Sequence, residues 1–336
     1  MSNQEKLQRC HNQDYHSPCI YLITVTVEDR KPVLSKVVGS LEQAAVKLTE
    51  VGRAVKKEIF AMEERYPQVK LLQYQIMPDH VHLIMHVKER LPEKLPLGNV
   101  VAAWKQLCGK AYSALLWRDL KASQRDGQDG AHEVSSCEAT FRSLKDSKPS
   151  YTPLFSKGFN DRILTGKGQL SRMIAYVKDN PRRFLIKQQH RGFFTIHRDV
   201  SVAGMRFDAV GNLALLQKPI MAVHCRRRWS EAEQAAFAEE CLCKAEDGAV
   251  LVGAFISKAE KEIAQKANER RFLLIRLVEN GFNEIFKPVG QDFYSCAEGR
   301  LLLLAPWLYH NDTRVITREQ CGQLNDMSEK ISESKC

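Results

Sequence analysis

The sequence predicts two mixed domains in tandem, an α+β domain followed by a smaller α/β domain, and three observations predict it. Over the first 120 residues the pattern runs strand, helix, strand, helix, which suits a small antiparallel sheet backed by helices. Beyond about residue 200, short apolar runs alternate with helical segments, as in parallel βαβ units. Residues 121–150 ("KASQRDGQDGAHEVSSCEATFRSLKDSKPS") lose all periodicity and read as a flexible insertion in the first domain. The expected division is 1–200, 201–320 and a polar, frayed tail at 321–336.

Each element has its own warrant. "CIYLITVTV" (19–27) is apolar and β-branched, a strand. Residues 40–67 carry Leu41, Ala44, Ala45, Leu48 and Val51 at helical spacing and stop at Pro67, which predicts one helix. A second helix is expected over 95–120, with Val100, Val101, Trp104, Leu107 and Cys108 on one side. Leu170, Met173, Ile174 and Val177 fall at i, i+3, i+4 and i+7 and give a third its buried stripe. In the second half "PIMAVHC", "GAVLVGAF", "FLLIRLV" and "RLLLLAPW" are the strands, with helices between them.

Composition narrows the function. At 336 residues, with 44 % hydrophobic and 27 % charged, the chain can bury two cores. No apolar run approaches the ~20 residues that cross a bilayer, and the polar start lacks a signal-peptide core, so a cytoplasmic protein without membrane contact is expected. Ten cysteines at irregular positions, with Cys241 and Cys243 lacking a second close pair, predict reduced thiols and not a zinc quartet. The net charge is +10, and basic residues cluster at 105–110, 178–187 and 225–229. A polyanion is the natural partner.

Two stretches carry chemistry. In "DHVHLIMHV" (79–87) a period of two puts Val81, Leu83, Met85 and Val87 on one face and His80, His82 and His86 with Ile84 on the other. Alternate residues on a strand are roughly 6.5 to 7 Å apart, so His80 and His82 can share a metal ion, whereas His86 lies too far along. Taken alone, the pair also fits two polar residues facing solvent on an edge strand. In "YVKDNP" (176–181) Tyr176 and Asn180 are one helical turn apart. Asn180 before Pro181 also reads as the N-cap of a new helix.

H-x-H on a strand, then "FSKGFNDRIL", then a helix bearing Tyr-x-x-x-Asn-Pro, resembles the single-tyrosine HUH nucleases over residues 18–190, and within them the REP-associated tyrosine transposases and related single-tyrosine transposases. The resemblance implies a ferredoxin-like palm, with His80, His82 and Asn180 as ligands to Mg²⁺ or Mn²⁺ and Tyr176 as the nucleophile that cleaves and rejoins single-stranded or hairpin DNA. It also matches Asp161, with a structural or a catalytic role. Lys105, Lys178, Arg182 and Arg183 are expected phosphate contacts. The second domain is similar to the Rossmann-like core of DNA-processing protein A (Smf-like), but "CRRRW" replaces the glycine-rich turn and no G-x-G-x-x-G follows. No cofactor-binding residue is therefore assigned there. Arg226, Arg227, Arg228 and Trp229 are expected to hold DNA through phosphates and a stacked base. A homodimer is compatible with this reading. The competing reading is a domesticated, non-catalytic DNA-binding protein on the same fold.

Overall fold

The computed structural model describes residues 14–126, 151–226, 228–284, 286–310 and 316–334. The chain is a mixed α/β protein of two compact units, Met1–Leu185 and Ile186–Cys336.

The first unit is built on a four-stranded antiparallel sheet. Its strands are β1 (Cys19–Thr26), β4 (Val69–Ile76), β5 (His80–Val87) and β6 (Asn160–Ile163), in spatial order β4-β5-β1-β6. A small hairpin, β2 (Ser35–Val38) with β3 (Ala45–Leu48), leads into helix α1 (Glu50–Arg65). Helix α2 (Leu97–Asp126) follows β5 and α3 (Gln169–Gln189) follows β6. One face of the sheet presents Tyr21, Ile23, Val25, Val81, Leu83, Met85 and Val87, all fully buried, to Val55, Ile59 and Met62 of α1 and Val100, Val101 and Trp104 of α2. The alternation along β5 thus fills the core as its period requires. The other face carries a smaller cluster of Leu22, Ile84, Leu164 and Val177, joined by Leu170, Met173, Ile174 and Tyr176 of α3. Since β5 lies between β4 and β1 with α3 over it, the edge-strand reading of His80 and His82 is excluded.

Four expectations need correction. The helix over 40–67 is a hairpin and a shorter helix: the Thr49 side chain caps α1 by accepting from Gly52 N at 3.0 Å, so the helix cannot begin earlier. The second helix continues past residue 120 to Asp126, into the start of the expected insertion; residues 127–150 lie outside the described residues. Asn180 does not cap a new helix, because α3 is continuous and holds Pro181 inside it. The polar tail is helix α7 (Arg318–Glu333), closed by a Thr317/Gln320 capping box and buried through Leu324 and Ile331.

The second unit holds a six-stranded sheet of β7 (His197–Val202), β8 (Met205–Gly211), β9 (Ile220–Ala222), β10 (Val250–Gly253), β11 (Leu274–Leu277) and β12 (Leu301–Ala305), in order β7-β8-β12-β11-β10-β9. The last four strands are mutually parallel, and β7 and β8 are antiparallel additions. Helices α4 (Glu231–Glu246), α5 (Lys258–Glu269) and α6 (Gly290–Ala297) link the parallel strands and pack on one face, and α7 packs on the other. Because β7 already belongs to this sheet, the boundary falls inside α3, ahead of the expected residue 200.

Candidate active site

Sheet register assembles the site from the His-bearing face upward. His82 on β5 pairs with Thr24 on β1 and Gln75 on β4, and Thr24 pairs with Asn160 on β6. Residues side by side in register point the same way, so Gln75, His82, Thr24 and Asn160 form one polar row beneath α3. His80 pairs with Thr26 one step along. The imidazoles of His80 and His82 have centroids 4.8 Å apart at 79°, near enough to converge on a single ion.

Each imidazole is oriented by a neighbour that sequence reasoning missed. Asp79 Oδ1 lies 2.6 Å from His80 Nδ1. Burial works against the Asp79 charge, yet the His80 hydrogen bond, the His80 charge and Arg30, 3.5 Å away, hold its pKa down at about 2. As a carboxylate Asp79 can only accept, so His80 Nδ1–H donates to it and Nε2 is the nitrogen left to face a ligand. His82 Nδ1 is hydrogen-bonded to Thr24 Oγ1 at 2.9 Å. The Asp79–His80 adjacency was visible in the sequence; the Thr24–His82 partnership depended on a strand register that no local pattern states.

Helix α3 brings the second half. The Tyr176 ring packs against His82 with centroids 5.8 Å apart. Tyr176, Asn180 and Arg183 follow at i, i+4 and i+7 and share a side of the helix. Asn180 is buried and its Nδ2 donates to the Tyr176 carbonyl at 2.8 Å, which leaves its oxygen as the donor atom for a metal. The Arg183 guanidinium lies over the Tyr176 ring, 5.3 Å from its centroid, and is itself buried. His80, His82 and Tyr176 thus meet between β5 and α3, with Asn180 one turn along the helix from Tyr176, while His86 sits further along the strand.

Other expected site residues are placed differently. Asp161 pairs with Ile23, so it points to the opposite, α2-facing side, where its Oδ2 accepts from Tyr15 at 2.6 Å. Lys105 is half-buried and its Nζ donates to the Ser156 and Gly158 carbonyls at 2.5 and 2.6 Å, so it clamps the loop before β6, and burial lowers its pKa. Lys178 and Arg182 are exposed on α3, Arg182 within 3.7 Å of Asp179. In the second unit Arg226 and Arg228 are exposed, and Arg227 lies outside the described residues. Trp229 is not displayed for stacking as expected: it is partly buried against that unit's core, 5.1 Å from Phe237.

The second unit's ligand edge is filled from within. Glu260, only 2 % exposed, accepts from Cys225 N, Ile256 N and Ser257 N at 2.9–3.0 Å at the start of α5. That is where a nucleotide-binding α/β sheet offers N–H groups to a phosphate, and here a carboxylate of the chain takes them. Burial pushes the Cys225 and Cys241 thiols up to about 11 and 12, so neither is a nucleophile at neutral pH.

Among the described residues no three His, Cys, Asp or Glu side chains cluster as a metal site. No helix among them is long and apolar enough to cross a membrane. No protein family profile matches the sequence, and no curated protein matches it. Among solved structures, the chain is similar to a REP-associated tyrosine transposase bound to a REP hairpin, at 12 % identity and TM-score 0.30 over 53 % of this chain and 74 % of that one. It is similar also to a protein described as a transposase from Deinococcus radiodurans R1, at 13 % identity and TM-score 0.23 over 52 % of this chain and 97 % of that one. Likeness at this level assigns no residue a role.

Proposed function

We propose that the first unit is a ferredoxin-like HUH palm and that the protein is a transposase-like enzyme that cleaves and rejoins single-stranded DNA through Tyr176, and that the second, Rossmann-like unit assists by holding flanking DNA. The observation that carries this reading is the packing of Tyr176 against His82. A phenol beside a pair of oriented imidazoles, with a buried amide one turn away, is a nucleophile set beside an electrophile-activating group.

The donor set suits a divalent cation. His80 and His82 each use Nδ1 toward an orienting partner, Asp79 or Thr24, which makes Nε2 the nitrogen each offers, and Asn180 adds an oxygen. Mg²⁺ prefers oxygen ligands, so of Mg²⁺ and Mn²⁺ the two imidazoles favour Mn²⁺. When bound, such an ion polarises a non-bridging phosphate oxygen and stabilises the departing 3′-oxygen.

The protein's own residues supply the rest. Tyr176 Oη, losing its proton, forms a bond to phosphorus; the bond from phosphorus to the 3′-oxygen breaks, and that oxygen leaves as a hydroxyl. The products are a 5′-phosphotyrosine and a free 3′-OH, and attack by a second 3′-OH reverses the link without ATP. Arg183 holds the Tyr176 ring from above its face and brings a positive charge to the incoming phosphate. Exposed Lys178 and Arg182 contact the backbone further along. Incubation with labelled single-stranded DNA and Mn²⁺ tests the reading: a protein–DNA adduct that survives denaturation supports it, and its absence over a panel of hairpin and linear strands contradicts it.

A further inference from the structure

We infer that a cleft on the α2 side of the first unit takes one unstacked base of the strand that crosses the Tyr176 site. This inference rests on the single-strand reading above. The cleft has a volume of about 350 Å³ and is lined in part by Tyr15, Gly98, Ala102, Lys105, Gly158 and Phe159. That is within the range of small-ligand sites.

The helix makes the room. Gly98, Ala102 and Lys105 stand at i, i+4 and i+7 on one face of α2. Gly98 has no side chain and Ala102 only a methyl, so the face stays open until Lys105 closes it. The Lys105 ammonium has three N–H groups, and two are held by the Ser156 and Gly158 carbonyls. Its charge is therefore fixed in the wall. Across from it Tyr15 is held by its hydrogen bond to Asp161 and by stacking on Tyr21, centroids 5.9 Å apart, and Phe159 forms a largely buried floor. The oriented Tyr15 ring beside one fixed cation, over the Phe159 floor, suits a flat base with its phosphate. A small carboxylate would use the cation and leave the ring idle.

Position links the cleft to the site. Phe159 directly precedes Asn160, and Asn160 on the edge strand β6 ends the row that contains Thr24 and His82. Asn160 faces α3, whereas Phe159 packs with the core on the α2 side. Two strand spacings, roughly 10 Å, separate β6 from β5. A strand that leaves the His80 and Tyr176 site along the margin of α3 reaches the sheet edge beside Asn160, and its next base turns over that edge into the cleft.

The test uses the full-length protein and an oligo-dT carrying 5-iodo-2′-deoxyuridine, cross-linked by light and read by peptide mass spectrometry. The expected product joins the base to the Tyr15 or the Phe159 peptide. Ala102→Leu, at an exposed position whose side chain would fill the cleft, is expected to remove that cross-link and weaken oligo-dT binding about tenfold, the scale of one lost base–aromatic stack. Its binding to an abasic strand of equal length stays that of the wild type. Cross-links confined to other peptides, or an Ala102→Leu protein that keeps the Tyr15 or Phe159 cross-link, overturn the inference while leaving the tyrosyl adduct intact. A wild-type protein that binds neither strand overturns the functional reading and this inference together.

Discussion

The ring of Tyr176 packs against that of His82 with centroids 5.8 Å apart, a contact between residues 94 positions apart in the chain. It joins a strand whose other face fills the core to a helix whose buried stripe covers the first. Neither element needs this contact for its own regularity, and the proposed chemistry depends on it.

The orienting partners of the two histidines should matter to metal affinity more than to fold. Thr24→Val removes the hydroxyl that holds His82 and keeps the side-chain volume. Mn²⁺ affinity, read by electron paramagnetic resonance, is expected to fall about tenfold, with Thr24→Ser restoring it, as for outer-shell partners elsewhere. Unchanged Mn²⁺ binding in Thr24→Val would remove that role. His80→Ala and His82→Ala should each abolish metal-dependent cleavage, and activity that survives EDTA would contradict the metal's part.

Lys105 should behave as a structural clamp. Lys105→Met leaves the Ser156 and Gly158 carbonyls without their charged donor and is expected to cost about 2 kcal/mol in urea unfolding. Burial lowers the Lys105 pKa in the folded chain from its ordinary 10.5. Between the folded and unfolded values the unfolded chain binds more protons, so this residue's contribution to stability rises with pH there. A Met variant as stable as the wild type would show that the clamp contributes nothing.

Removing the second unit should weaken the hold on DNA and spare the chemistry. The cut belongs after Gln189, the end of α3, because a chain ending near residue 200 would keep part of β7 without its sheet. The shortened chain is expected to form the tyrosyl adduct, bind single strands more weakly and show a shallower salt dependence, because fewer counterions are released. Equal affinity and equal salt slope would leave the second unit some other role.

Much of the candidate site was legible because its signals are local. A period of two separated His80 and His82 from Val81, Leu83 and Met85, and a period of 3.6 set Tyr176 and Asn180 one turn apart. What escaped depended on distant pairing or on competing local rules. Thr24 became a partner of His82 only through the β1–β5 register. Asn-Pro signals a helix start in most settings, yet α3 runs through Pro181 while the Asn180 side chain turns back onto the Tyr176 carbonyl. Leu41 to Val51 has helical spacing, but the Thr49 cap and the hairpin before it decide the structure. The last helix was hidden because the segment is mostly polar, yet Leu324, Met327 and Ile331 are enough to cover one face of a sheet.

The most direct measurement compares the wild type with Tyr176→Phe, each incubated with labelled single-stranded DNA and Mn²⁺ and then denatured. The substitution removes one oxygen and keeps the ring that packs on His82. The account predicts that the covalent adduct disappears while DNA affinity stays within a few-fold, and that the wild-type adduct maps by peptide mass spectrometry to Tyr176. An adduct that persists undiminished in Tyr176→Phe, or that maps to another residue, would contradict the assignment of Tyr176 as the nucleophile.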